Sequence, residues 1–83
     1  MENSLLYLRE TLSNYLERSH RSHAIYKKIL KGNFSTVSSF VESLNQEEVD
    51  LLNEILPEEL NYARNEKDQK RYQELFEVYE QLY

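Results

Sequence analysis

The chain has 83 residues and a net charge of −5, with one glycine, one proline and no cysteine. This length suits a single domain over residues 1–83, and so few turn-forming residues favour an all-α fold over an antiparallel sheet. The lack of cysteine excludes disulfides, thiolate metal sites and cysteine nucleophiles, and no apolar run approaches the roughly 20 residues of a membrane-spanning helix.

Apolar side chains in the first half of the chain recur at three- and four-residue steps, which predicts amphipathic helices. The first helix is expected over about 4–18, with Ser4 as its N-cap. Residues 19–23 contain no apolar side chain and predict a joint, after which Ser22 caps a second helix. That helix is expected to end at Gly32, in the position where a left-handed residue commonly terminates a helix.

The middle of the chain shows the same spacing from Phe34 to Leu44, which predicts a third helix capped by Ser35 or Thr36. Asn45 stands three residues before Glu48, and this spacing is typical of a capping box. A fourth helix is therefore expected to begin directly after Asn45.

The single proline predicts the next interruption. Pro57 has no backbone N–H and disfavours helical geometry at the residue before it, so we expect a break near Pro57. A long C-terminal helix should run from there to about Leu82. The predicted fold is a small all-α bundle of four to five helices, whose core contains Leu5, Leu8, Leu12, Leu16, Ile25, Ile29, Val37, Phe40, Leu44, Leu52, Ile55, Leu60, Leu75 and Tyr79.

Charge is unevenly distributed along the chain. Residues 18–31 carry five basic side chains and no acidic one, whereas residues 32–63 carry seven acidic side chains and no basic one. The basic residues form a candidate interaction patch: Arg18, Arg21, Lys27, Lys28 and Lys31. Three interpretations remain open: internal pairing with the acidic 42–59 region, which we favour, binding of an acidic protein, or contact with nucleic-acid phosphates.

Catalytic, cofactor-binding and metal-binding residues are not expected. His20 and His23 are the only histidines and lie beside two arginines, which would repel a cation. The carboxylates fall at helix starts and on polar faces, where nothing predicts the raised pKa that acid–base catalysis requires. We therefore expect a protein that is not an enzyme.

Tyrosine is abundant, with seven residues. Four of them lie on or beside predicted apolar stripes, where a buried ring with its hydroxyl at the rim would explain them: Tyr15, Tyr26, Tyr72 and Tyr79. Because tyrosine is also enriched at interfaces, a group of exposed aromatic rings would favour a binding surface.

Two stretches, YLRETLSNYLE and YARNEKDQKRYQELFEVYEQL, resemble the CsgA-like family of sigma-G-dependent sporulation-specific proteins of endospore-forming bacilli, which is grouped with the small acid-soluble spore proteins (SASP). The resemblance implies synthesis in the forespore but no assigned catalytic or binding residues, and the lack of cysteine favours a cytoplasmic location. The chain lacks the TEFASE-type protease signal of the DNA-coating SASPs, so DNA coating is not implied.

The expected function is therefore that of a non-enzymatic, sporulation-associated protein. It would act through contacts with an unidentified protein partner or with itself, without a cofactor and without membrane insertion. The alternative is an accessory nucleic-acid-binding protein that uses the basic segment 18–31.

Overall fold

The computed structural model describes residues 2–82, and in that range it contains five helices and no strand. They are α1 (Asn3–Ser13), α2 (His20–Lys31), α3 (Val37–Glu42), α4 (Gln46–Asn65) and α5 (Gln69–Gln81). The predicted all-α class and number of helices are confirmed. Helix α1 packs against α2 and α5, and α4 also contacts both of these, so four helices surround one core; the short α3 lies against α5.

Most predicted core residues are buried, because the apolar stripes of the helices face one another. Leu16, Leu44 and Tyr79 are exceptions and are only partly buried. Four further apolar residues are buried but were absent from the predicted core: Leu51, Leu56, Ala63 and Val78. Three of these belong to α4 and one to α5. The buried faces of these two helices therefore differ from the predicted faces in width or in rotation.

The first two helices begin earlier than predicted. Helix α1 has Glu2 at its N-cap position, while the Ser4 hydroxyl donates to Glu74 Oε1 on α5 at 2.8 Å. Helix α1 also ends at Ser13, and residues 14–18 form turns instead of a further helical turn. Ser22 lies inside α2, where its hydroxyl reaches the carbonyl oxygen of Tyr15 at 3.1 Å. It also donates to the Ser19 carbonyl oxygen at 2.6 Å, so neither serine caps its helix as predicted.

Gly32 does not terminate α2 in a left-handed conformation, since its φ is −76°. A glycine is needed there for a different reason. A Cβ on residue 32 would lie 2.7 Å from the carbonyl oxygen of Lys28 and would overlap the ring of Phe34. The close approach of that ring, which also meets Phe40 edge to face at 5.5 Å, fixes the chain between α2 and α3.

The predicted caps of α3 and α4 are present. The Thr36 hydroxyl accepts from the Ser39 amide at 3.0 Å. In the capping box of α4, Asn45 Oδ1 accepts from the Glu48 amide at 2.9 Å, and Glu48 Oε1 accepts from the Asn45 amide at 2.9 Å. Local sequence therefore determines where these two helices begin.

The predicted break near Pro57 is wrong, because α4 continues through this residue to Asn65. Proline inside a helix costs about 3 kcal/mol through a lost hydrogen bond and crowding of the preceding turn. The two flanking leucines, Leu56 and Leu60, are buried in the core, and each such burial contributes roughly 1.5–3 kcal/mol. Packing on both sides of Pro57 therefore keeps the helix continuous, while the proline ring faces solvent.

The helix break lies instead at residues 66–68. Lys67 has a φ of 59°, its amide donates to the Arg64 carbonyl at 3.1 Å, and the Asp68 amide donates to the Ala63 carbonyl at 2.9 Å. These two bonds form a Schellman motif, with lysine in the left-handed position that usually holds glycine. The Asp68 carboxylate then accepts from the Arg71 amide and caps α5. The C-terminal helix therefore starts at Gln69.

Lys67→Gly is expected to stabilise the protein by about 0.5 kcal/mol, because glycine adopts positive φ without the steric penalty of a Cβ. Urea unfolding followed by circular dichroism measures the change. The control is Gln73→Gly, at an exposed interior position of α5, which should destabilise by about 1 kcal/mol. Destabilisation by both variants would contradict the left-handed assignment of Lys67.

Tyr15 connects the turn after α1 to α4. Its hydroxyl donates to Glu59 Oε2 at 2.6 Å. Burial of the ring, with the hydrogen bond to Glu59 as the next cause, raises the pKa of Tyr15 to about 12, from an ordinary value of 10.0. The neutral phenol is thus favoured in the folded protein relative to the unfolded chain.

A raised folded-state pKa means that the stabilisation from Tyr15 is fully present below pH 10 and is lost as the pH rises from 10 toward 12. Tyr15→Phe should therefore make the alkaline decline in the free energy of unfolding shallower. Urea titrations between pH 8 and 12 would measure this decline, and Tyr62→Phe, at an exposed position, should leave it as in the wild type. An unchanged decline in Tyr15→Phe would refute the assignment.

Candidate functional site

Three of the five residues of the predicted basic patch contact other side chains of the molecule. Arg21 Nη2 lies 3.3 Å from Glu54 Oε2, and Lys28 Nζ lies 2.7 Å from Glu48 Oε1. The guanidinium of Arg18 lies over the Tyr15 ring at 4.6 Å. Within residues 2–82, only Lys27 and Lys31 of this set extend into solvent without such a contact.

Lys28 is the most constrained member of the patch. Its ammonium group donates to Glu48 Oε1 and to the Ser43 carbonyl oxygen, both at 2.7 Å. Glu48 is 6% exposed and also completes the capping box of α4. Lys28 therefore attaches α2 to the junction of α3 and α4, in agreement with the internal-pairing interpretation for this residue.

The most exposed cluster of aromatic rings lies between α4 and α5. Tyr72, Phe76 and Tyr79 follow one another along α5 at four- and three-residue steps. The Tyr72 and Phe76 rings stack at 5.9 Å with an angle of 8° between their planes, and the Tyr79 ring lies 6.5 Å from Phe76. These rings form one wall of a groove of about 400 Å³, here called the aromatic groove, which is lined by Pro57, Glu58, Leu60, Asn61, Arg64, Tyr72, Phe76 and Tyr79.

Charged side chains of both signs border the aromatic groove. The Arg64 guanidinium lies 5.2 Å from the centre of the Tyr72 ring and donates to the Tyr72 hydroxyl at 2.9 Å. Within residues 2–82, neither Arg64 nor Glu58 forms an ion pair. Because Arg64 is held on the ring, its position is defined before any ligand arrives.

The predicted core included Tyr79 of α5, and Tyr72 was expected on or beside an apolar stripe, but both rings are only partly buried. Leu75 and Val78 are the fully buried residues of α5, and Phe76 remains 40% exposed. The signal was present in the sequence, because the apolar positions of α5 form two stripes, one of aliphatic residues and one of aromatic residues. A single buried face cannot accommodate both stripes.

The two histidines do not form a metal site with other side chains. The rings of His20 and His23 are 6.3 Å apart, and His23 Nε2 lies 2.6 Å from the Leu16 carbonyl oxygen. Over the described range, no group of three potential metal-ligating side chains occurs. None of the helices in that range is long and apolar enough to cross a bilayer.

The chain matches the family model described as minor curli fiber component A (CsgA) over residues 1–83. It is also 46% identical over 82 residues to the "sigma-G-dependent sporulation-specific SASP protein" of Bacillus subtilis (strain 168), an alignment that covers 99% of each chain. The chain therefore belongs to this family, which confirms the resemblance found in its two terminal stretches. No solved structure matches it.

Lys28→Ala is expected to lower the free energy of unfolding by about 1–2 kcal/mol, because the buried Glu48 carboxylate loses its charged donor. The neighbouring exposed residue supplies the control, since Lys27→Ala should change stability by less than about 0.5 kcal/mol. Urea unfolding of the two variants measures the difference. Equal effects would show that Lys28 does not support the fold in the way its contacts indicate.

Proposed function

We propose that this chain is a non-enzymatic, sporulation-associated protein of the forespore that acts through protein–protein contacts made by the aromatic groove. The cellular setting is supported by the name of the relative that is 46% identical over 99% of the chain. The mode of action is supported by one observation: the aromatic stripe of α5 is only partly covered by α4 and leaves Phe76 40% exposed.

The composition of the aromatic groove favours a protein ligand. Tyrosine and arginine are enriched among the residues that dominate binding energy at protein interfaces, and here Arg64 rests on Tyr72. The stack of Tyr72 on Phe76 restricts both rings. Ordering side chains on association costs about 0.5–1.5 kcal/mol each, so rings that are already ordered reduce the cost of binding.

The same geometry favours binding over catalysis. The charged residues of the aromatic groove, Glu58 and Arg64, stand on its exposed rim. A general acid or base is normally tuned by burial or by a close charged neighbour. A partner that covers the groove would instead use these residues for charge complementarity.

The nucleic-acid alternative receives less support from the basic residues. Arg21 and Lys28 already contact Glu54 and Glu48, so their charges are partly neutralised within the molecule. Binding to phosphates grows with the number of free positive charges. Titration against duplex DNA at low and moderate salt tests this alternative, which steeply salt-dependent binding would favour.

Phe76→Ala should abolish partner capture, because truncation of a central aromatic residue at an interface typically costs at least 2 kcal/mol, or roughly 30-fold in affinity. The measurement is affinity capture from extracts of sporulating cells, with bound proteins quantified by mass spectrometry. Leu30→Ala is the matched control, since Leu30 is 50% exposed on α2 and does not line the groove. Capture of the same proteins in the same amounts by Phe76→Ala and wild type would refute the proposal.

A further inference from the structure

We propose that the occupant of the aromatic groove is a second copy of this chain, in a symmetric dimer whose twofold axis passes beside Asn61 of α4. This inference rests on the proposed function, since it names the partner for the same groove. In a twofold dimer, a residue that contacts a second residue across the interface is matched by the reverse contact. The exposed face of α4 meets this condition.

The rim charges are placed symmetrically about Asn61. Glu58 lies three residues before Asn61 and Arg64 three residues after it, and at 3.6 residues per turn they flank Asn61 on opposite sides of the exposed face. A twofold axis through Asn61 makes the two α4 helices antiparallel and exchanges positions 58 and 64. Glu58 of each copy then lies opposite Arg64 of the other, which gives two ion pairs.

Both rim residues are available for these pairs. Arg64 and Glu58 are exposed and form no ion pair within residues 2–82. The guanidinium group has five N–H donors, of which one is directed to the Tyr72 hydroxyl. The remaining donors can form the paired bonds with a carboxylate that arginine favours. At the axis itself, the Asn61 amide is both donor and acceptor and can pair with its symmetry mate.

The same contact covers the aromatic groove. Glu58, Asn61 and Arg64 all line the groove, so a partner helix that pairs with these residues lies across the rim beside Phe76.

The dimensions of α4 suit such an interface. Its 20 residues extend over about 30 Å at 1.5 Å per residue, and the longest dimension of the molecule is 30 Å. A standard interface buries about 800 Å² on each partner, which is roughly one-seventh of the 5247 Å² surface of this chain. A helix that spans the molecule, together with the groove beside it, can present such a contact.

Charge reversal tests the pairing directly. Sedimentation equilibrium would be measured for the wild type, for Glu58→Arg, for Arg64→Glu, and for an equimolar mixture of these two variants. Each variant alone places two like-charge contacts across the axis and should dimerise at least tenfold more weakly than the wild type. In the mixture, a heterodimer has two opposite-charge contacts, so dimerisation should return toward the wild-type level.

The matched controls are Glu17→Arg and Lys31→Glu, exposed residues outside the groove, and both should dimerise as the wild type does. Circular dichroism melting establishes that each variant is folded. A monomeric wild type at millimolar concentration, or a mixture that associates no better than its components, would overturn the dimer.

Failure of this inference is distinguishable from failure of the proposed function. A monomeric wild type that still captures a different protein, in a manner that depends on Phe76, would refute the dimer and retain the groove as a binding site. A monomeric wild type without Phe76-dependent capture would refute both. A dimer that forms equally well in Glu58→Arg and Arg64→Glu would refute the axis at Asn61.

Discussion

The continuous burial of α4 is the constraint on which the rest of the structure depends. Leu52, Leu56 and Leu60 hold this helix to the core on both sides of Pro57, and their burial keeps the backbone helical where local preference would interrupt it. As a result, residues along one uninterrupted helix pair with side chains of the elements that pack against α4. Glu48 and Glu54 meet α2, and Glu59 meets the turn that follows α1.

The uneven distribution of charge along the sequence is explained by this arrangement. A basic helix and an acidic helix are neighbours, and the contacts between them combine one largely buried pair, Lys28 with Glu48, with one exposed pair, Arg21 with Glu54. The exposed pair contributes little by itself. The buried pair has more effect, because loss of either charge would leave the other without compensation. Charge therefore helps to place α2 beside α4, while apolar burial supplies most of the stability.

Local patterns in the sequence were sufficient for the fold class and for some helix ends, and insufficient where tertiary contacts compete. The capping box of Asn45 and Glu48 was correctly predicted, because its two hydrogen bonds lie within four residues. The effect of Pro57 was wrongly predicted. The helix-breaking tendency of proline is a property of one residue and takes no account of the leucines buried around it. The turn at Lys67 was also not predicted. The left-handed position at the end of a helix is usually recognised by a glycine, and here it is occupied by lysine.

The candidate site shows the same limit. The sequence identified Tyr72 and Tyr79 as residues of an apolar stripe, but whether that stripe faces the core depends on how α5 is rotated against α4 and α1. Leu75 and Val78 are the residues of α5 that are fully buried, and close packing of the core around them fixes this rotation. The aromatic stripe is then turned outward, and the groove follows from packing that periodicity alone cannot resolve.

A symmetric contact about Asn61 would limit association to two copies, since a twofold interface uses the same surface on both copies and is complete at two. If the aromatic groove binds a second copy in this way, association ends at the dimer and leaves the basic end of α2, with Lys27 and Lys31, available on both copies.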